Sequence, residues 1–179
     1  MKVVKKMSEK ANTAIEIEKK YIISMPCQSD LEAMDGYSNS EILQIYLPSD
    51  DGSTHRVRRR RCGDKVSYTE TRKIRIDRMS ATEIEGEISA ERFAELAAVP
   101  KSGTTPINKT RHVFFYLGQQ FEIDVYPEWK NTAIMETELE TRDTEVKFPE
   151  FIKIIRDVTG ERGYSNAAMS VSFPKESIV

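Results

Sequence analysis

The chain of 179 residues has only two cysteines, Cys27 and Cys62. That is too few for a disulfide framework or a thiolate zinc site. Apolar runs are never longer than a few residues, so no transmembrane helix is expected. The start, Met1-Lys2-Val3-Val4-Lys5-Lys6, lacks the apolar stretch of a secretory signal, and the expected compartment is the cytoplasm. Internal repeats, low-complexity segments and a central Pro/Gly/Ser-rich linker are also missing. So is an excess of charge of one sign: 27 Lys+Arg stand against 29 Asp+Glu, a net charge of -2. A dedicated nucleic-acid binder is usually net basic, so that class is disfavoured. What is plentiful is charge itself, 31% of residues, beside a 39% hydrophobic fraction that can fill a core and excludes disorder by composition. The length fits one domain. We read residues 1–12 as a flexible tail and 13–179 as a single domain.

The charges follow a period of two, the signature of strands. Glu16, Glu18 and Lys20 share one face of a segment over residues 14–24. Arg56, Arg58 and Arg60 alternate with Val57, which turns Arg59 and Arg61 outward. Glu83, Glu85 and Glu87 alternate with Ile84 and Ile88; Lys109 and Arg111 lead into Val113 and Phe115. Glu122 and Asp124, then Glu136, Glu138 and Glu140, repeat the pattern. A half-buried sheet that turns its polar face to water also alternates. Such a face would mix signs, whereas here each segment keeps nearly one sign. Like charges about 7 Å apart repel unless strands of the other sign or a ligand lie beside them. A closed sheet with its charged faces turned inward meets that condition.

Eight strands are expected: 14–24, 40–47, 54–62, 65–74, 82–89, 107–117, 119–126 and 132–140. Leu117-Gly118-Gln119 and Cys62-Gly63-Asp64 read as hairpin turns. Ser89 caps an amphipathic helix carrying Phe93, Leu96 and Ala97. A second helix is expected over 149–158, with Pro149 at its first position, Phe151, Ile154, Ile155 and Val158 as its apolar stripe, and Gly160 beyond its end. Short helical turns are expected at 29–34 and 166–170. His55 and His112 have no partners at metal-ligand spacing, and Tyr126 and Trp129 read as packing residues.

Read in order, these segments resemble the triphosphate tunnel metalloenzymes, the CYTH superfamily. Glu16-Ile17-Glu18-Lys19-Lys20 resembles the ExExK signature, and Arg56-Val57-Arg58 the RxR strand. Glu85 and Glu87 resemble the mid-chain acidic strand, and Lys109-Thr110-Arg111 the KxR strand. Glu122-Ile123-Asp124-Val125-Tyr126, Glu136-Thr137-Glu138-Leu139 and Tyr164-Ser165-Asn166 resemble the later motifs. The match runs from about residue 14 to 170. One departure is the family's TxK strand, here Thr69-Glu70-Thr71-Arg72-Lys73. Thr71 stands in the lysine register and Lys73 follows two residues later on the same face; Lys73 is taken, with Arg72 outward.

The resemblance implies an α+β, mainly antiparallel fold: an eight-stranded closed β-barrel tunnel with a few flanking helices. It implies a metal-dependent hydrolase of a small triphosphate, working with Mg²⁺ or Mn²⁺, and a homodimer. A triphosphate carries about four negative charges, too many to bury unpaired. Lys20, Arg56, Arg58, Lys73, Lys109 and Arg111 are the expected substrate cations, Arg supplying forked bonds and Lys point charges. Glu16, Glu18 and Glu138, then Glu136 and Asp124, are the expected metal ligands, since hard cations take carboxylate oxygens. Glu85, Glu87 and Lys20 are the candidate catalytic groups. Inorganic triphosphate, ATP and thiamine triphosphate are candidate substrates, and nucleic acid is expected to enter only as a triphosphate end. Alternatives are a class IV-like adenylyl cyclase, a thiamine triphosphatase, and a polyphosphate- or nucleotide-binding module without turnover.

Overall fold

A computed structural model describes residues 11–176. Most of the expected tail, residues 1–10, lies outside the described residues; Asn12 begins the first strand. Nine strands form: β1 (Asn12–Ser24), β2 (Asp35–Leu47), β3 (Thr54–Cys62), β4 (Lys65–Arg75), β5 (Ser80–Glu87), β6 (Ile107–Tyr116), β7 (Gln119–Val125), β8 (Thr132–Glu138) and β9 (Ile154–Asp157). Three short helices accompany them: α1 (Gln28–Glu32), α2 (Ala90–Ala97) and α3 (Asn166–Val171). The order β5-β4-β3-β2-β6-β7-β8-β1, with β1 pairing back to β5, closes an eight-stranded antiparallel barrel. This is the fold class the sequence implied.

Local chemistry sets the corners. Leu117 and Gly118 both take positive φ, 50° and 81°, the pair that a two-residue hairpin turn of the favoured hand requires between β6 and β7. Gly63 at φ 56° turns β3 into β4. The Ser89 hydroxyl accepts from the Arg92 amide, so the capped helix forms as expected.

The expected helix over 149–158 does not form. Pro149–Ile152 is a turn, and Ile154–Asp157 is strand β9. The reason lies in β1. Its outer edge pairs with β5 only as far as Ile17, opposite Ser80. Beyond that point its backbone needs another partner. β9 supplies one, with Tyr21 opposite Asp157 and Ile23 opposite Ile154. The β-branched Ile154 and Ile155 suit a strand.

Apolar residues lie on both sides of the wall. Outside, Phe114, Phe121, Ile123 and Met135 from β6–β8 pack with Tyr21 and Ile23 beneath Leu31 of α1 and Ile152. Val57 and Leu47 are covered by Phe93 of α2. Inside, the inward faces change character toward one end: Arg111 and Lys109 give way to Ile107, Asp124 to Tyr126, and Glu136 to Ile134. Trp129 and Met169 of α3 join this cluster and fill that part of the bore. Trp129 and Tyr126 are therefore packing residues, as expected.

Phe114 is fully buried and stacks on Phe121 at 5.5 Å. Phe114→Ala is expected to cost about 3–5 kcal/mol of stability, measured by urea unfolding; a loss below about 1 kcal/mol would show that the covering segments are not part of the core.

Candidate functional site

The bore opens into a cavity of about 610 Å³. The period-two faces point into it as read from the sequence. Glu16, Glu18 and Lys20 come from β1, Arg56 and Arg58 from β3, and Lys73 from β4. Glu85 comes from β5, Lys109 and Arg111 from β6, and Glu136 and Glu138 from β8. Arg72 points outward to Asp51, and Thr71 is buried with its hydroxyl donating to Glu85 at 2.6 Å. Lys73 is thus the lumen lysine of its strand.

Two expected residues stand apart. Glu87 lies at the exposed end of β5 and does not line the cavity. Asp124 is fully buried behind the lumen wall. Its carboxylate takes a forked pair of bonds from Arg111, both at 2.7 Å, and one from Lys109 at 2.5 Å. Burial acts to raise its pKa, but Arg111 and Lys109 outweigh it and hold the group below the usual carboxylate range. Asp124 therefore serves as the counter-ion that orients two lumen cations.

The remaining lumen cations are mostly paired. Lys20 meets Glu136 at 2.7 Å, and Lys73 meets Glu16 at 2.9 Å with Glu83 at 3.6 Å. Arg56 meets Glu83 at 3.2 Å, and Arg111 adds contacts to Glu122 and Glu136. Burial would raise Glu136, yet Lys20 and Arg111 hold it well below its ordinary value.

Arg58 is different. Among the described residues it has no carboxylate within 4 Å, and its one bond is a long one to Gln44 Oε1 at 3.4 Å. Burial, followed by repulsion from Arg56 and Arg111, pulls its guanidinium down to about 10. Beside it, two buried polar atoms lack any partner among the described residues: Nε of Arg56 and Oγ1 of Thr69, the residue opposite Arg58 in the β3–β4 ladder. This wall is short of an anion.

The opposite deficit occurs on β1 and β8. Glu18 and Glu138 face each other directly across the ladder. Glu138 is raised above its ordinary value by burial and then by Glu16, Glu122 and Glu18. Glu16 is raised by burial too, with Glu83 and Glu18 adding to it against the pull of Lys73. Among the described residues no group of three His, Cys, Asp or Glu side chains converges to ligating distance. The donor set, all carboxylate oxygens and crowded by like charge even with Lys73 beside Glu16 and Glu18, nevertheless fits a hard divalent ion.

Glu83 and Glu122 lie on the inward faces read from the sequence, which gave them no role in the site. Other lumen residues escaped that reading. Arg75 continues the Thr71–Lys73 face to the rim. Arg78, in the turn between β4 and β5, and Arg162, at the start of a single 3-10 turn (Arg162–Tyr164), also line the cavity but carry no periodic signal. His55 is buried against Glu70 at 2.8 Å, and His112 meets the Tyr37 hydroxyl at 3.0 Å. Ser165 caps α3, and Asn166 accepts from the Tyr126 hydroxyl at 2.8 Å while lining the cavity.

No family model and no curated protein matches the chain. Solved structures do. The crystal structure of the inorganic triphosphatase NE1496 is 24% identical, spans 89% of this chain and 96% of its own, and superposes with a TM-score of 0.57. A second structure of NE1496 is 25% identical with a TM-score of 0.55. PH1819 from Pyrococcus horikoshii OT3 is 21% identical over 72% of this chain and 80% of its own, with a TM-score of 0.52. The chain therefore shares its fold with NE1496 and PH1819.

The acid crowding yields a pH prediction. A carboxyl whose folded-state pKa stands above its unfolded value, 4.5 for Glu138, binds more protons when folded, so it destabilises the fold as pH rises past that value. Glu138→Gln should raise the melting temperature of chelator-treated protein at neutral pH, and the gain should vanish below pH 4.5. Thermal melts at both pH values check this; a lowered neutral-pH melting temperature would refute the crowding.

Proposed function

We propose that the lumen binds a triphosphate together with Mg²⁺ or Mn²⁺ and that the chain hydrolyses a phosphoanhydride bond, with inorganic triphosphate as the substrate. The observation that carries this reading is a paired imbalance: a wall around Arg58 that is short of anions faces a wall where Glu138 is crowded by Glu16, Glu18 and Glu122. A polyanion with its metal answers both at once. The inorganic triphosphatase activity given for NE1496 agrees with the choice.

In this reading Arg58, Arg56 and Arg111 hold the phosphate oxygens by charge-assisted bonds. Arg111 is pre-oriented by its fork to Asp124, and Lys20 and Lys73 add point charges held at fixed positions by Glu136 and Glu16. Glu16, Glu18 and Glu138 would hold the metal, with Glu136 nearby. When bound, a divalent ion neutralises charge developing on the phosphoryl group and lowers the pKa of a coordinated water. Glu85 reaches the lumen, and its bond from Thr71 fixes one oxygen, so it is the better-placed acceptor for a proton from the attacking water. Glu87, on the exposed end of β5, is not placed for that role.

Cyclase and thiamine triphosphatase readings need a surface on which a base or a ring can stack. Among the described residues the only aromatic lining the cavity is Tyr46, which is buried and receives the Gln44 amide at 2.5 Å. A module that binds the anion alone gains nothing from crowded carboxylates unless they hold a metal.

The test incubates the protein with inorganic triphosphate, ATP and thiamine triphosphate plus Mg²⁺ or Mn²⁺. Phosphate release from inorganic triphosphate is expected; cyclic AMP from ATP, or binding without product, would overturn the reading. Glu18→Gln should lower kcat by about 10²-fold or more, and Arg58→Ala should lower kcat/KM by a similar factor. Full activity in either removes that residue from the site.

A further inference from the structure

Helix α3 puts into the bore one polar side chain that no lumen strand supplies. Of the α3 residues that line the cavity, Asn166, Ala167 and Ala168, only Asn166 is polar. Its backbone is held firmly. The Ser165 hydroxyl accepts from the Ala168 amide at 3.2 Å and donates to the Arg162 carbonyl at 2.8 Å, and Met169 is buried with Trp129 and Tyr126. Two lumen cations meet its neighbours. Lys20 Nζ donates to the Tyr164 carbonyl at 3.5 Å, and Lys109 Nζ stands 5.9 Å from the centre of the Tyr126 ring.

The direction of the Asn166 amide follows from its partner. A phenol keeps its proton at neutral pH and, when buried, must place it on an acceptor. Tyr126 is buried, and among the described residues its hydroxyl has one partner, Asn166 Oδ1 at 2.8 Å. That bond turns the amide oxygen toward Tyr126 and leaves the nitrogen, with its two N–H donors, facing away from it. Among the described residues Nδ2 has no partner, and it is not sealed in the core. The bore is already loaded with positive charge, and repulsion from Arg56 and Arg111 helps to pull Arg58 down. A neutral amide adds a hydrogen bond to an anion there without adding to that repulsion.

We propose that Asn166 is a substrate-contact residue: with its oxygen held by the Tyr126 hydroxyl, its amide N–H donates to a phosphate oxygen of the bound triphosphate. The inference rests on the triphosphate reading of the lumen and adds a neutral donor from α3 to the charged set on the strands. Tyr126 is then a positioning residue, which acts through Asn166. Both residues belong to the ordered motifs, and neither has a place among the lumen cations or acids.

Two substitutions separate this role from a merely structural one. Asn166→Ala removes both the acceptor for Tyr126 and the donor to the ligand. Asn166→Asp keeps an acceptor for Tyr126, and with it the packing of α3, but replaces the donor with a negative oxygen. The measurements are initial rates on inorganic triphosphate with Mg²⁺, and calorimetric titration of triphosphate into chelator-treated protein. Asn166→Ala should lower kcat/KM and triphosphate affinity about tenfold. Asn166→Asp should melt near the wild-type temperature and yet lose more than Asn166→Ala in both assays. Wild-type behaviour of Asn166→Asp would overturn the contact, whatever Asn166→Ala does, and would leave the lumen reading intact. Wild-type protein that neither binds nor hydrolyses triphosphate would overturn both.

Discussion

Like charges at alternate positions of one strand repel, and they persist only where a neighbouring strand answers them. This constraint governs the barrel. The β1 acids Glu16 and Glu18 are met by Lys73 across the bore, and the β5 acid Glu83 is met by Arg56. On β6, Lys109 and Arg111 are met by Asp124 of β7 and Glu136 of β8. The Lys73 contacts to Glu16 and Glu18 need β1 to return to β5, so closing the sheet completes this charge balance. The net charge of -2 therefore does not describe a neutral surface: it is the sum of two opposed sets facing one cavity.

The answer is incomplete in two places, and both are informative. Among the described residues Arg58 has no carboxylate within 4 Å, and Glu138 is crowded by acids. Leaving charges unmet is costly, and a fold keeps such sites where a ligand completes them. The two features lie across one bore, which is why we propose a metal-bearing polyanion rather than a simple anion as their ligand. The same wall makes the bore asymmetric, since Ile107, Tyr126, Ile134 and Met169 fill one part with apolar side chains.

Much of this was legible before any coordinates. Sign-homogeneous alternation placed the inward faces of β1, β3, β5, β6 and β8, and the ordered motifs gave the barrel. Period two also resolved Lys73 from Arg72, because successive side chains on a strand oppose each other. What was not legible depended on contacts far apart in sequence. The segment over 149–158 has a helical apolar stripe, but the unmet edge of β1 made part of it a strand. Asp124 alternates like a lumen residue, yet the pairing of β6 with β7 seals it under Arg111. Glu87 falls on the right face but at the end of its strand, past the cavity. Arg78 sits in a turn and Arg162 in a single 3-10 turn, and neither has a periodic mark.

The central claim is that lumen acids and lumen bases act as one unit, joined by a metal and a polyanion. Mn²⁺ binding followed by electron paramagnetic resonance, with and without triphosphate, tests it directly. Thermodynamic reciprocity requires each ligand to tighten the other if they meet in one site. The account predicts that triphosphate strengthens Mn²⁺ binding at least about tenfold, and that Glu18→Gln and Arg58→Ala each abolish this coupling. Mn²⁺ affinity that is the same with and without triphosphate, or coupling that survives both substitutions, would contradict it.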